Sequence, residues 1–317
     1  MILITGAFGQ LGKLLQKEFL KNDKLILVDR NIQKTPKLNS RLSTVIEGDL
    51  LDSDFCNHIF KNHSIDKIFN FATQSFVERV DKINLSPRCI IFDNIISSIE
   101  KNKKGKKTWL LHPLSSEIFG IPSEVPQTEK TARSPINSYG LQKSFEELKC
   151  HYLRSKGYQI YNPILYNAES KYRTDKFFSK KIISHIKQVK LNGISDCLDF
   201  YNAHSSRDFG YAEDYIKCFL VASNSRKNNI ELLGSGKNVR IIDFIHKALK
   251  AFKIPFETVL SEKGHYRIYH EGHLILKENG RDTIDEKRVF AAKRKNNEDC
   301  SVRIRGGNEL IRILVNE

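Results

Sequence analysis

Three glycines, at positions 6, 9 and 12, constrain this chain more than any other feature. Ahead of them, Ile2-Leu3-Ile4 reads as a buried strand. Behind them, Leu11 to Phe19 carries the apolar spacing of a helix. A strand that turns into a helix within so few residues needs glycine at its tightest point, and Gly6 supplies it. Gly9 lets the backbone approach a pyrophosphate, and Gly12 lets the helix lie close to the sheet. The N–H groups that open the helix then face the phosphates. Gly6, Phe8, Gly9, Gln10, Leu11 and Gly12 are therefore the expected cofactor-binding residues of this turn. An ordinary turn between strand and helix is the plainer alternative.

The rest of the first half repeats the alternation of strand and helix. Lys24–Val28, Ser43–Ile46, Lys67–Asn70, Thr108–Leu111 and Tyr158–Leu165 read as strands. Arg88–Glu100 and Ser138–Lys156 read as the longest helices. Such alternation specifies a parallel sheet with helices on both faces. The expected fold class is α/β: a Rossmann-type doubly wound parallel sheet with a smaller mixed α/β lobe at the C-terminal end. Residues 1–166 are expected to bind NAD(P), and 167–317 to form the substrate lobe, with some chain crossing back to the sheet. In that lobe Lys176–Leu191 and Val239–Phe252 read as helices, and Tyr266–Leu276 as a strand. Ligands of open α/β sheets bind at the strands' carboxyl ends, where such a lobe closes.

Asp29 ends the second apolar run, about 20 residues after the glycine turn. A carboxylate there accepts both ribose hydroxyls and repels a 2′-phosphate, which favours NAD. Arg30 can pair with a 2′-phosphate, which keeps NADP open. Asp49 and Leu50 follow the third strand and are placed to contact adenine, although Asp49 suits a strand-end cap equally well. Tyr139 and Lys143 stand four apart on an expected helix and so share one face. A lysine cation lowers the pKa of a neighbouring phenol, so the tyrosinate can take a proton from a sugar or alcohol hydroxyl.

The formal net charge of +15 raises nucleic acid as a partner. The charge is diffuse, however. Its densest run, Lys101 to Lys107, has no interleaved aromatic residues. A solvated basic surface is expected instead, and no nucleic acid; a positive field would also help capture a diphosphate. No apolar run reaches the roughly 18 residues of a membrane span. The N-terminus enters a strand with no basic segment and no cleavage site. Six cysteines without a Cys-x-x-Cys pair argue against a metal site and a disulfide framework, and fit a reducing cytoplasm.

Further segments carry a family resemblance. They are Phe69 to Ser75 with Val77, Leu114-Ser115-Ser116-Glu117-Ile118-Phe119-Gly120, Pro126 to Glu129, Ser134-Pro135, Asn167-Ala168-Glu169-Ser170, Phe177 to Ile182, and Arg207-Asp208-Phe209-Gly210 with Asp214-Tyr215. In this order they resemble the extended short-chain dehydrogenases of nucleotide sugars, and among these the GDP-mannose 4,6-dehydratase family. Ser115 to Gly120 is similar to that family's Thr-Ser-Glu-Leu-Tyr-Gly. Asn167 to Ser170 is similar to its Asn-His-Glu-Ser, and Arg207 to Gly210 to its Arg-Asp-Trp-Gly.

The resemblance implies transient oxidation at C4 of a nucleotide-diphosphate sugar by Tyr139 with Lys143. Loss of water across C5 and C6 follows, and hydride returns to C6. It implies that Ser115 hydrogen-bonds the C4 oxygen and that Glu117 takes the C5 proton. The plainer readings are a turn hydroxyl for Ser115 and a solvated loop carboxylate for Glu117. Phe71 and Ala72 are implied along the cofactor. Asn167, Lys180, Asn202, Arg207 and Arg281 are implied at the diphosphate and sugar, and a homodimer or homotetramer is implied as the assembly. Departures are Ala168 for histidine, Phe209 for tryptophan, Lys180 for arginine, Asp29 for an arginine-rich turn, and a reduced late segment, Arg281 to Asp285. A 4-epimerase or 4-keto reductase is the alternative, and a non-catalytic nucleotide-binding regulator a remoter one.

Overall fold

A computed structural model describes residues 1–19, 23–32, 42–73, 86–193, 196–282, 285, 287, 288, 291, 292 and 302–317. The first half contains β1 (Ile2–Thr5), α1 (Gln10–Phe19), β2 (Leu25–Asp29), β3 (Ser43–Glu47), α2 (Ser53–Asn62), β4 (Lys67–Asn70), α3 (Ser86–Lys101), β5 (Trp109–Leu111), β6 (Leu114–Ser115), α4 (Ser138–Ser155) and β7 (Gln159–Leu165). The second contains β8 (Asn167–Glu169), α5 (Phe178–Asn192), β9 (Leu198–Phe200), β10 (Ser206–Tyr211), α6 (Ala212–Asn224), β11 (Ile230–Leu233), β12 (Asn238–Arg240), α7 (Ile241–Ala251), β13 (Glu257–Leu260), β14 (Tyr266–His270), β15 (His273–Glu278) and a C-terminal helix, Asn308–Asn316.

The large sheet runs β3-β2-β1-β4-β5-β7-β11, with β6 also on β7, and its pairings are parallel. Both faces are covered, which is why its strands read as continuous apolar runs. Ile2, Ile4, Leu25 and Leu27 pack with Leu15 of α1 and Phe219 of α6. Leu3, Ile26, Val28 and Ile68 pack with Phe60 of α2, Phe92 of α3 and Cys150 of α4. The chain winds one way from β1 to β3 and the other way from β4, so a crevice opens at the carboxyl ends of β1 and β4. This is the Rossmann-type sheet expected, and α6 and β11 return to it from beyond residue 167.

Two mixed sheets complete the second half: β12-β10-β8 and β13-β14-β15-β9. A separate core joins Ile182 and Ile186 of α5, Phe244 and Leu249 of α7, Ile268 and Leu276 of the hairpin, and Leu310. Two expectations change here. The single strand Tyr266–Leu276 is a hairpin, because Glu271 and Gly272 both take left-handed backbone angles (φ 49° and 77°) and reverse the chain. The helix expected from Val239 begins at Ile241, because the backbones of Val239 and Arg240 pair with Arg207 and Ser206 of β10. Among the described residues no helix is long and apolar enough to cross a membrane.

Candidate active site

A cleft of about 970 Å³ opens over the crevice and reaches from the glycine turn into the second half. The turn is packed to its limit on two sides. Gly6 has a φ of 60°, and a Cβ there would sit 2.7 Å from the carbonyl carbon of Phe71. A Cβ on Gly12 would meet the Ala7 oxygen at 2.4 Å. Gly9 is different: a Cβ there would meet nothing closer than the Gly6 oxygen at 3.2 Å. Its outer side and the N-terminus of α1 thus offer room and N–H groups to a diphosphate.

Asp29 is fixed at the end of β2. Its carboxylate accepts the Phe8 N–H and the Arg30 N–H, each at 2.8 Å. Each oxygen keeps a further lone pair for a ribose hydroxyl. Arg30 is drawn towards Asp49, at 3.7 Å. Asp49 caps the Leu51 N–H at 3.0 Å and also lines the cleft, so its two expected roles coexist in space. The Gln10 amide donates to the Ala168 oxygen at 2.9 Å and ties the turn to β8. Its own oxygen is buried without a hydrogen-bond partner. Leu11, Leu50, Phe71 and Ala72 complete the wall. The open backbone, the poised carboxylate and the orphaned amide oxygen together fit a nicotinamide dinucleotide.

Across the cleft, Asn137 caps α4 by accepting the Gly140 N–H at 2.7 Å. Tyr139 and Lys143 follow on the buried face of that helix and line the cleft. Lys143 donates to the Pro113 oxygen at 3.1 Å and to Glu146 at 2.7 Å. Burial pushes the Tyr139 phenol up, and Lys143 and a hydrogen bond with Ser115 pull it part of the way back. Burial opposes the charge on Lys143 as well, but Glu146 and Tyr139 together outweigh it and hold the ammonium above its ordinary range. Ser115 also accepts the Glu117 N–H at 3.3 Å, at the start of the short 3-10 turn Ser116–Phe119.

Glu117 is not a solvated carboxylate. Its Oε2 accepts from the Asn137 amide at 2.7 Å and pairs with the Arg288 guanidinium. Arg288 also donates to Asp285 at 3.0 Å. Asp285 in turn takes Arg207 at 2.5 Å, Ser205 at 2.7 Å and Asn202 at 3.0 Å. Burial opposes ionisation of Asp285, but Arg207, Ser205 and Arg288 outweigh it and hold the carboxyl below its usual range. Asn167, Asn202 and Arg207 all line the cleft.

Three residues fall elsewhere. Gly12 packs against the backbone of Gly6 and Ala7 and is not among the cleft residues. Lys180 is not among the cleft residues; Lys181, one position on and four after Phe177, lines it with Phe177. The helical register decides this, since residues four apart share a face. Arg281 also lies outside the cleft. It binds Glu278 at 2.8 and 2.9 Å and the Gly264 oxygen at 2.7 Å, beside the Tyr266 ring. Among the described residues, Arg173, Lys176, Asp199, Asp285 and Arg288 are the further charged groups at or beside the cleft. The dense charge between residues 281 and 288 was the one signal in the sequence for Asp285 and Arg288. Gln74, Ser75 and Val77 lie outside the described residues.

Comparison with known proteins follows the same outline. A GDP-mannose 4,6-dehydratase from Yersinia enterocolitica is 27% identical over 273 residues, covering 80% of this chain and 73% of the relative. The GDP-mannose 4,6-dehydratase sdnI of Sordaria araneosa is 25% identical over 274 residues, covering 80% of this chain. The chain spans about half the length of that second relative (48%). In fold, the chain superposes on a UDP-glucose 4-epimerase from Thermus thermophilus, solved with NAD, with a TM-score of 0.77 at 15% identity. That match covers 99% of this chain and 97% of the other. The GDP-mannose 4,6 dehydratase family matches residues 3–299. The chain therefore belongs to that family, one of NAD(P)-dependent nucleotide-sugar dehydratases and epimerases.

Proposed function

We propose that the protein is a nucleotide-sugar 4,6-dehydratase that converts GDP-mannose or a related GDP-sugar to its 4-keto-6-deoxy form. The observation that carries this reading is the Glu117 carboxylate, which shares the cleft with Ser115 and Tyr139. Oxidation at C4 needs a tyrosine, a lysine and a hydroxyl. Elimination across C5 and C6 needs a base beside them as well. A bound nicotinamide supplies the hydride acceptor at C4 and the donor at C6. Tyr139 takes the C4 hydroxyl proton, and Lys143 balances the charge that forms. Ser115 hydrogen-bonds the C4 oxygen. Glu117 takes the C5 proton, which the new ketone has made acidic, and gives it to the C6 hydroxyl, which departs as water; C5 regains a proton when hydride reaches C6. Asn167, Asn202 and Arg207 hold the diphosphate and sugar, joined by Lys181 and Arg288, with guanidinium forks suited to phosphate oxygens. Residues 1–166 form the cofactor half and 167–317 the substrate lobe, with α6 and β11 returning to the sheet.

The alternative, a 4-epimerase or 4-keto reductase, draws on the pairing of Glu117 with Arg288, which occupies part of the base. A panel of GDP-, UDP- and dTDP-sugars, incubated with the purified protein and read by mass, separates the two. Loss of one water from a GDP-sugar is the expected result. A product of unchanged mass identifies an epimerase and overturns the dehydratase reading.

Asp29 leads to a cofactor prediction. NAD is expected to bind the cofactor-free protein more tightly than NADP by about tenfold or more, the scale of one unscreened like-charge contact. Fluorescence titration with both cofactors checks it. Tighter NADP binding would show that Arg30 prevails.

The assembly we propose is a homodimer built on α4. Leu141, Phe145, Leu148 and Tyr152 repeat every three or four residues along its outer face. All are exposed, Leu148 by 69%. An apolar stripe of this size marks a contact surface, and a two-fold axis lets it cover itself. Leu148→Glu is expected to yield a monomer by light scattering while the wild-type chain runs as a dimer or tetramer. An unchanged mass would remove α4 from the interface.

A further inference from the structure

Behind Lys143 a line of buried polar groups runs back through the sheet. The Ala72 N–H donates to the Thr5 hydroxyl oxygen at 3.2 Å, and the Thr5 hydroxyl donates to the Asn70 oxygen at 2.6 Å. Asn70 therefore turns its amide nitrogen to His112 Nδ1, at 2.9 Å. This contact makes Nδ1 an acceptor and leaves the ring proton on Nε2, which donates to Glu146 Oε2 at 2.9 Å. The same oxygen takes the Lys143 ammonium, and Oε1 takes the Gln142 amide at 2.6 Å. Thr5, Asn70, His112, Gln142, Lys143 and Glu146 are each no more than 2% exposed.

Packing alone does not call for this arrangement. A carboxylate buried three residues after a lysine is costly unless its acceptors are met, and here three donors meet them. A lysine buried as deeply as Lys143 would ordinarily surrender its proton. The neutral form would be useless beside a tyrosinate.

We propose that Glu146, anchored by His112, is a positioning residue that keeps Lys143 charged and fixes its ammonium beside Tyr139. The inference rests on the proposed function only for the role of Lys143, not for the sugar or its dehydration. Burial pushes the Glu146 carboxyl up, but Lys143 and His112 outweigh it and hold it far below the usual range. Burial keeps His112 neutral. The other titratable groups facing the pair are Tyr139 and Cys150 on α4, Cys89 on α3 and Glu117 beyond Tyr139. Burial pushes both thiols up, Cys150 to about 12, so neither adds a charge near neutrality.

The test begins with the wild-type, cofactor-free protein labelled at the lysine side chains and histidine rings, with the Lys143 signal assigned by its loss in K143M. Lys143 is expected to stay charged up to about pH 10 or beyond, at or above the ordinary lysine value. His112 is expected to hold its Nε2-protonated neutral form at the pH where a free imidazole gains its charge, and to take up a proton only at lower pH. Lys143 titrating below about pH 9, or His112 titrating near its free value, overturns the proposal without recourse to any variant.

In E146Q the Gln142 oxygen, buried and unpartnered in the wild type, can turn to accept the new amide, so the fold is expected to hold. Lys143 should then titrate at least ~2 pH units lower, within the range burial imposes. The alkaline limb of the kcat profile should move down with it, whereas E146D should keep the wild-type limb. In a K143M background E146Q should change kcat less than about twofold, since coupled residues lose additivity. An unshifted Lys143 in E146Q, or an equal loss of kcat in the K143M background, overturns the proposal. The labelling arms use no substrate, so a failed dehydratase assay leaves them intact.

Discussion

Tyr139→Phe is expected to lower turnover by a factor on the order of 10² or more, the scale of one positioned acid–base group. The ring fills a buried place on α4, and phenylalanine keeps that volume. The hydroxyl's interaction with Ser115 is lost, but Ser115 still accepts the Glu117 N–H. Lys143 is not left unpaired, because its ammonium binds the Pro113 oxygen and Glu146 independently of the phenol. The variant should therefore melt close to the wild type and bind cofactor normally. Release of product from a nucleotide sugar is the measurement. Near-normal turnover in a folded variant would remove Tyr139 from the chemistry, and with it the oxidation step.

What could be read from the sequence was local. The glycine turn and the Tyr139–Lys143 pair depend on spacings of a few residues, Asp29 follows the turn at the end of the next apolar run, and apolar runs mark six strands of the large sheet but neither β6 nor β11. The hairpin at Glu271-Gly272 was missed because its two short strands run together as one apolar stretch. The start of α7 was misplaced because pairing with β10, over 30 residues away, claims Val239 and Arg240. Lys180 and Lys181 differ only in helical phase. The site's charged frame is least legible of all. His112 meets Glu146 across 34 residues, and Arg288 meets Glu117 across 171. No spacing rule joins positions that only the folded sheet brings together, so the sequence pointed to Arg281 and not to Arg288 for a place at the cleft.

Glu117→Gln is expected to separate oxidation from dehydration. Gln keeps the size of the side chain and can still accept from Asn137 or Arg288, but it cannot take the C5 proton. In the wild-type chain the Asn137 amide and the Arg288 guanidinium both fall on Oε2. Oε1 is then the oxygen available to C5. Arg288 loses an ion pair in the variant but retains Asp285 at 3.0 Å, so its charge is not stranded. Tyr139, Lys143 and Ser115 are untouched. Oxidation at C4 should proceed, while release of 6-deoxy product should fall by about 10² or more. Absorbance of the reduced nicotinamide, followed after mixing the cofactor-loaded variant with the sugar nucleotide, should rise and persist, where the wild type shows only a transient. Product formed at the wild-type rate would show that Glu117 is not the base and that its place beside Arg288 is structural. Loss of both signals would show instead that the Glu117–Arg288–Asp285 frame is needed to seat the substrate, and the base would have to be sought among the other carboxylates facing the cleft.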